Sequence, residues 1–248
     1  MRYLILSDIH ANIEALEAVL AAAPREQFDR VVVLGDIVGY GADPNAVVER
    51  VRSLNPDAII RGNHDKVAAG VESAEGFNQA ARHAALWTLT SLTEENKDYL
   101  TSLPLGPLVV EDEIEICHGS PDDEDEYIFE HVDAVEALRA QAEPVCFFGH
   151  THVAVVYWLS AAAFDIILPS PNDAETHLQI QTDRRYLINP GSIGQPRDGD
   201  PRAAYATYDS EAHELVLYRV PYNVAGAQEK ITSAGLPEGL ARRLGLGK

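Results

Sequence analysis

Hydrophobic positions change period along the chain. Residues 2–7 carry the continuous apolar run Tyr3, Leu4, Ile5 and Leu6, which predicts a short buried strand. Residues 11–23 then place Ile13, Leu16, Val19 and Leu20 on one face at helical spacing. The alternation repeats, with a strand over 30–36, a helix over 43–54 and a third strand over 57–63. Pro44 falls in the first turn of that second helix, where its missing N–H costs no hydrogen bond. From Gly76 to about Leu103 the spacing predicts helix, with Trp87 and Leu89 among its larger apolar residues. Strands apolar throughout, separated by helices, indicate a buried and largely parallel sheet.

The second half differs. Residues 108–119 read as a hairpin turning within the acidic stretch Glu111 to Glu115. An acidic loop over 120–127 precedes a helix from His131 to Ala140. Six strand-like runs follow, over 145–150, 153–158, 176–181, 184–191, 203–209 and 213–222, joined mostly by turn residues. A helix over Val224 to Ser233 and a glycine-rich basic tail complete the chain. Without an internal repeat or a dividing linker, the pattern predicts a single domain over residues 1–248. Its class is α/β: two facing mixed β-sheets flanked by helices, a four-layer αββα sandwich.

Charge narrows the partners. With 19 Lys and Arg against 39 Asp and Glu, the formal charge is −20. That disfavours long nucleic acid and anionic membranes, which require a basic footprint. A small phosphorylated substrate remains open, because bound cations reverse the local potential. No apolar run approaches a membrane span, and the N-terminal residues read as a first strand rather than a signal peptide. Cys117 and Cys146 lie in apolar strand-like runs, which is no disulfide framework, so a cytoplasmic location is expected. Oligomeric state is not legible.

Polar residues collect where strands end. The first strand ends in Asp8 and His10, the second in Asp36, the third in Asn63, His64 and Asp65. Later runs end in His118 and in the pair His150 and His152. In a parallel sheet those ends share one edge, where ligands bind. Leaving His64 aside, two carboxylates, one amide and four imidazoles offer seven ligands. If one carboxylate bridges, two divalent transition-metal ions are accommodated, Mn foremost, with Fe, Zn, Ni or Co possible. Cys117, beside His118, points to the opposite face. The other histidines (His83, His131, His177 and His213) read as ordinary helix, loop or strand residues, and the acidic loop as a solvated charge run.

The ordered blocks Asp8-Ile9-His10, Gly35-Asp36, Gly62-Asn63-His64-Asp65, His118 and Gly149-His150-Thr151-His152 resemble the calcineurin-like metallophosphoesterase superfamily. Residues 7–20, 35–45, 148–156 and 187–206 look like its small bacterial and archaeal phosphodiesterase branch. The resemblance implies that Asp8, His10, Asp36 and His152 hold one metal. Asp36, Asn63, His118 and His150 would hold the other, with Asp36 bridging. His64 would protonate the leaving oxygen or steady the transition state, and Asp65 would orient it. A hydroxide between the ions would be the nucleophile.

Two departures bear on the substrate. Protein phosphatases of the superfamily, and the symmetrical dinucleoside tetraphosphate hydrolases, look like G-D-x-x-D-R-G at the second block. Here Gly39-Tyr40-Gly41 stands in place of the Asp-Arg-Gly, and the third block ends in Asp65. Both favour a phosphodiesterase acting on small or nucleotide substrates. A phosphomonoesterase, a dinucleoside polyphosphate hydrolase and a non-catalytic metal-binding scaffold are the alternatives. Arg197 and Arg202 are candidates to grip phosphate, and Tyr40 to wall the pocket. Ala11, where glycine commonly follows D-x-H, is expected to be tolerated as a helix former.

Overall fold

The computed structural model describes residues 1–248. The N-terminal half runs β1 (Arg2–Leu6), α1 (Ile13–Ala22), β2 (Arg30–Val33), α2 (Pro44–Ser53), β3 (Ala58–Ile59), α3 (Asn63–Ala68), α4 (Gln79–Ser91) and α5 (Glu94–Ser102). It continues through β4 (Leu108–Val110), β5 (Ile114–Ile116), α6 (His131–Ala140), β6 (Val145–Phe147), β7 (Val155–Leu159) and β8 (Phe164–Ile167). The chain then forms β9 (Glu175–Gln179), β10 (Arg185–Asn189), β11 (Ala203–Asp209), β12 (Glu214–Val220), α7 (Val224–Ser233) and α8 (Glu238–Leu244).

Two six-stranded sheets result, in the orders β3-β2-β1-β11-β12-β9 and β4-β5-β6-β10-β7-β8. Each has three parallel strands, β1 to β3 in one and β5, β6 and β10 in the other, with the remaining pairs antiparallel. Tyr3, Ile5, Val32, Ile116, Phe147 and Ile188 point between the sheets. The intervening positions pack outward: Leu4 and Leu6 against α1, and Cys117, Cys146 and Phe148 toward α6. Both faces are therefore apolar, which is why these strands read as continuous runs. No helix is long and apolar enough to cross a membrane.

Three local expectations are corrected. The single helical pattern over 76–103 divides at Leu92 and Thr93, where Thr93 turns extended and its hydroxyl caps Asn96. The strand β8 lies in a stretch that carried no strand expectation, and the basic tail holds α8, whose Leu240, Ala241 and Leu244 are buried. Ala11 is not helical; it sits at φ +51° with the helix starting at Ile13, so helix propensity does not explain it.

The segment 191–197 folds back onto the end of β1. Ile193 and Gly194 donate their N–H groups to Ser7 and Asp8 carbonyls at 3.1 and 2.9 Å, and Ser192 Oγ donates to the Asp8 carbonyl at 2.8 Å. The approach is so close that a Cβ on Gly194 would lie 1.9 Å from the Ile9 carbonyl oxygen. Gly194→Ala is expected to destabilise the protein by about 1–3 kcal/mol, the usual range for a side chain forced into packed space. Urea unfolding measures it, and a change under about 0.5 kcal/mol, the scale of an ordinary surface substitution, would show the approach to be soft.

Candidate metal centre

Strand ends at the parallel edge turn abruptly. Asp8, His10, Asp36, Tyr40, His150 and His152 all have positive φ, between +49° and +65°. Non-glycine residues rarely take this region, and such strain persists where the surrounding structure over-determines it. Here the turns point carboxylates and imidazoles into one buried space.

Asp8, His10, Asp36 and His152 form one group of ligand atoms lying within 4.8 Å of one another, and Asp36, His118 and His150 form a second. Asp36 belongs to both. Its Oδ1 accepts the His64 N–H at 2.9 Å, while Oδ2 lies 3.4 Å from His10 Nε2 and 3.5 Å from His118 Nε2. Asp8 Oδ2 is held by Ser7 Oγ at 2.6 Å, and Oδ1 lies 3.4 Å from His152 Nε2.

Hydrogen bonds to main-chain carbonyls fix the imidazoles. His10 Nδ1 faces the Val38 carbonyl at 3.0 Å, His118 Nδ1 faces Leu34 at 2.8 Å, and His152 Nδ1 faces Gln195 at 2.7 Å. His150 is reversed, with Nε2 against the Asp125 carbonyl at 3.1 Å. A carbonyl only accepts, so each of these nitrogens carries the proton. The inward nitrogens of neutral rings are then bare lone pairs. His10 Nε2 and His152 Nε2 face each other at 3.0 Å, whereas His118, which keeps a second proton, donates Nε2–H to His150 Nδ1 at 3.2 Å. Burial holds His10 and His152 well below the ordinary imidazole range, so both are neutral. Two lone pairs at that distance repel unless a cation lies between them. The buried Asn63 Oδ1 has no partner either. The donor set therefore fits divalent metal ions with mixed imidazole and oxygen ligation.

His64 stands apart from both groups. It is buried against Tyr40, Phe77 and His10, with ring centroids at 4.3, 4.6 and 5.0 Å, and its Nδ1 lacks a partner. Gly39, at φ +92°, makes room for it: a Cβ there would fall 2.4 Å from that nitrogen. Burial lowers the His64 pKa to about 4. Asp65 does not touch the imidazole. Its two oxygens accept the Val38 and Gly62 N–H groups at 3.1 and 3.0 Å, so it shapes the turn that carries Asn63 and His64 and does not orient the ring directly.

An open cleft of about 370 Å³ has His64, His150 and Asn63 in its wall, with Tyr40, Phe77 and Tyr127 as aromatic flanks. Tyr127 lies on His150, centroids 3.8 Å apart. The acidic loop is not merely solvated. Lys66 Nζ holds Glu124 at 3.1 Å and Asp125 at 2.5 Å, and Arg61 grips Glu124 with two bonds. This fastening brings the Asp125 carbonyl to His150, a function that charge alone did not reveal.

The two arginine candidates part company. Arg202 is held by Nε and Nη2 on Asp200 and on the Pro171 and Asp173 carbonyls, so it serves as a loop clamp. Arg197 has no carboxylate partner. It donates to Tyr40 Oη at 3.3 Å and Gln195 Oε1 at 3.1 Å, and its guanidinium lies 5.6 Å from the Tyr40 ring centre. His83, His131, His177 and His213 belong to neither ligand group.

A two-sheet sandwich with a buried carboxylate and imidazole centre at its parallel edge defines a metal-dependent hydrolase. A family model, the calcineurin-like phosphoesterase superfamily domain, matches residues 1–213. The chain belongs to that superfamily and is a metal-dependent phosphoester hydrolase. It is 38% identical to an uncharacterised protein of Methanocaldococcus jannaschii, over 98% of this chain and 97% of that one. The crystal structure of a metallophosphoesterase from Sphaerobacter thermophilus superposes with TM-score 0.87 at 42% identity, covering 100% and 99% of the two chains. A protein from Pyrococcus horikoshii shares the fold, with TM-score 0.79 at 21% identity over 100% and 98%.

Protonation predicts how a cation enters. Burial opposes charge on His118, but Asp36 and Asp8 overcome it and raise the pKa to about 10. Burial raises Asp8 to about 6, and burial lowers His150 to about 3. At pH 7 His118 alone among these clustered side chains carries a displaceable proton. Metal uptake should then release about one proton per chain, and apparent affinity should rise about tenfold per pH unit between about pH 6.5 and 8. Below about pH 6 the Asp8 proton adds to the slope. Titration calorimetry of Mn binding in buffers of different ionisation enthalpy counts the protons. Uptake without proton release would contradict this assignment.

Proposed function

We propose that the protein is a dinuclear phosphodiesterase acting on small aryl or nucleotide phosphoesters. The observation that carries the reading is the cleft: aromatic walls rise from a floor that holds both a ligand, His150, and a free imidazole, His64. Its volume of about 370 Å³ suits one flat ester substituent. Asp8, His10, Asp36 and His152 would hold one metal ion; Asp36, Asn63, His118 and His150 would hold the other. Manganese heads the choice, with Fe, Zn, Ni or Co able to use the same donors. Bound there, the ions supply positive charge to phosphoryl oxygens and acidify water.

The chain's own residues do the rest. His64, kept neutral by burial, offers its one N–H to the phosphoryl or leaving oxygen and steadies it; its lowered pKa argues against a second ring proton. Arg197, laid over the Tyr40 ring and bonded to its hydroxyl, supplies a fixed cation to the phosphoryl group. Tyr40, wedged between His10 and His64, is its platform. Tyr127 and Phe77 flank the departing group. The formal charge of −20 directs the activity to small substrates and away from long nucleic acid. A reducing cytoplasm suits two buried free thiols whose sulfurs lie 3.7 Å apart.

Elemental analysis tests the centre. The wild type should take up two transition-metal ions per chain and His150→Ala about one, since it strips one of the two ligand groups. His64→Ala should keep normal metal content and lose about 10²–10⁴-fold in kcat, the range for a positioned imidazole. Metal loss in that variant would make His64 a ligand and overturn the division of roles.

Substrate class is tested by kcat/KM on matched esters. Bis(p-nitrophenyl) phosphate should be turned over faster than a phosphoserine peptide, because an aryl group fills the aromatic cleft and a peptide chain does not. The reverse order would assign the centre to monoesters.

A further inference from the structure

Beside the centre, Gln195 gathers a second arginine, Arg243, to Arg197. Gln195 Oε1 accepts from Arg197 Nη2 at 3.1 Å and from Arg243 Nη1 at 3.2 Å. Two guanidinium groups thus converge on one neutral amide oxygen. Neither has an aspartate or glutamate within 4 Å, although the chain carries 39 acidic residues and most of its other arginines are ion-paired. The remaining Arg243 contact is Nε to the Lys248 main-chain oxygen at 2.5 Å. Arg197 Nε is buried without a partner.

The pair is built into the fold. Gln195 is 1% exposed, and its carbonyl holds His152. Arg243 extends from α8, which packs through Leu240 and Leu244 on the same cluster as Tyr40. Burial, and then the charge of Arg197, hold the Arg243 pKa below its ordinary value, so the two cations feel each other. Like charges held together in a strongly acidic protein, with a neutral amide and no aspartate or glutamate between them, form a receptor for an external anion.

We propose that Arg197 and Arg243 form a second phosphate subsite beside the metal centre, so that the substrate carries at least two phosphates, as a nucleoside polyphosphate does. Arg197 faces both ways. Its contact with Tyr40, which walls the cleft, turns it to the phosphoryl group, and Gln195 joins it to Arg243. A phosphate linked to the scissile one meets Arg243 next. This deepens the proposed function and rests on its placing of the scissile phosphate over the ligand groups.

The test is competitive inhibition of bis(p-nitrophenyl) phosphate hydrolysis by two probes at equal free Mn: adenosine monophosphate and the methylene-bridged analogue of adenosine diphosphate. The diphosphate analogue should bind the wild type more tightly. In Arg243→Gln its inhibition constant should rise about 10–100-fold, the value of a charge-assisted bond to phosphate, and that of the monophosphate less than about threefold. Arg243→Lys should recover part of the difference, which a purely structural arginine would not do. A ratio of the two constants that is unchanged in Arg243→Gln overturns the subsite. If Arg243→Gln does not fold, Arg243→Lys alone must still weaken the diphosphate analogue selectively, because a point charge loses the forked geometry. Wild type without diester turnover refutes the phosphodiesterase reading instead. Calorimetric binding of the two probes to Mn-loaded protein then still reads the subsite.

Discussion

Everything at this centre depends on four hydrogen bonds between imidazole N–H groups and main-chain carbonyls. They fix the tautomer of each ring and so decide which nitrogen faces inward. Leu34, Val38, Asp125 and Gln195 supply those carbonyls from separate segments of the chain. No local piece can therefore form the centre alone. It exists only when the edge of one sheet, the acidic loop and the segment 191–197 have all docked. Side chains that appear remote from chemistry are in fact part of this constraint. Asn189 ties the turn bearing His150 and His152 by donating to the Gly149 carbonyl at 2.6 Å and Thr151 Oγ1 at 3.0 Å. Lys66 and Arg61 do the corresponding work for the carbonyl of Asp125.

The same arrangement is electrostatically unbalanced without a cation. Asp8 and Asp36 are buried close to one another, and their mutual repulsion, together with burial, favours keeping a proton on one of them. Against burial, His118, His64 and His10 hold Asp36 well below the usual carboxylate range. The protonated His118 stands where positive charge is wanted. A site of this kind is pre-strained toward cations, in its backbone dihedrals as well as in its charges. The rigid inter-sheet core of Ile5, Leu34, Ile116 and Phe147, all fully buried, is what makes such strain sustainable.

Much of this was legible in the chain. Strand–helix alternation revealed the layered fold because strands with two buried faces are apolar throughout. The clustering of Asp8, His10, Asp36, His118, His150 and His152 was legible because each follows such a strand, where topology leaves only one edge for it to occupy. What failed was anything set by contacts between distant segments. Asp65 looked like an orienter for His64 because it is adjacent in sequence, yet adjacency on a helix start turns it to the backbone. Arg197 and Arg202 were indistinguishable as letters in one loop; only the folded loop shows Asp200 consuming the second. Arg243 was hidden because Gly239, Gly245 and Gly247 mask a short helix whose Leu240 and Leu244 spacing is the one signal that could have exposed it.

The turn after Asp36 shows how one requirement can be met from two places in a chain. Relatives that grip phosphate there resemble Asp-Arg-Gly; this chain has Gly39-Tyr40-Gly41. The tyrosine is no neutral filler. Gly39 lets the chain pass beneath His64, and Tyr40 turns at φ +59° to stack between His10 and His64. Its hydroxyl then receives Arg197, which arrives on a segment more than 150 residues later, at a sequence separation of 157. An arginine on that turn would reach the cleft on its own flexible stem. An arginine laid over a fixed aromatic ring arrives with part of its conformational freedom already removed, and with a second guanidinium within reach through Gln195. The turn thus carries an aromatic platform for an arginine pair drawn from elsewhere in the chain, an ordered alternative to one mobile cation.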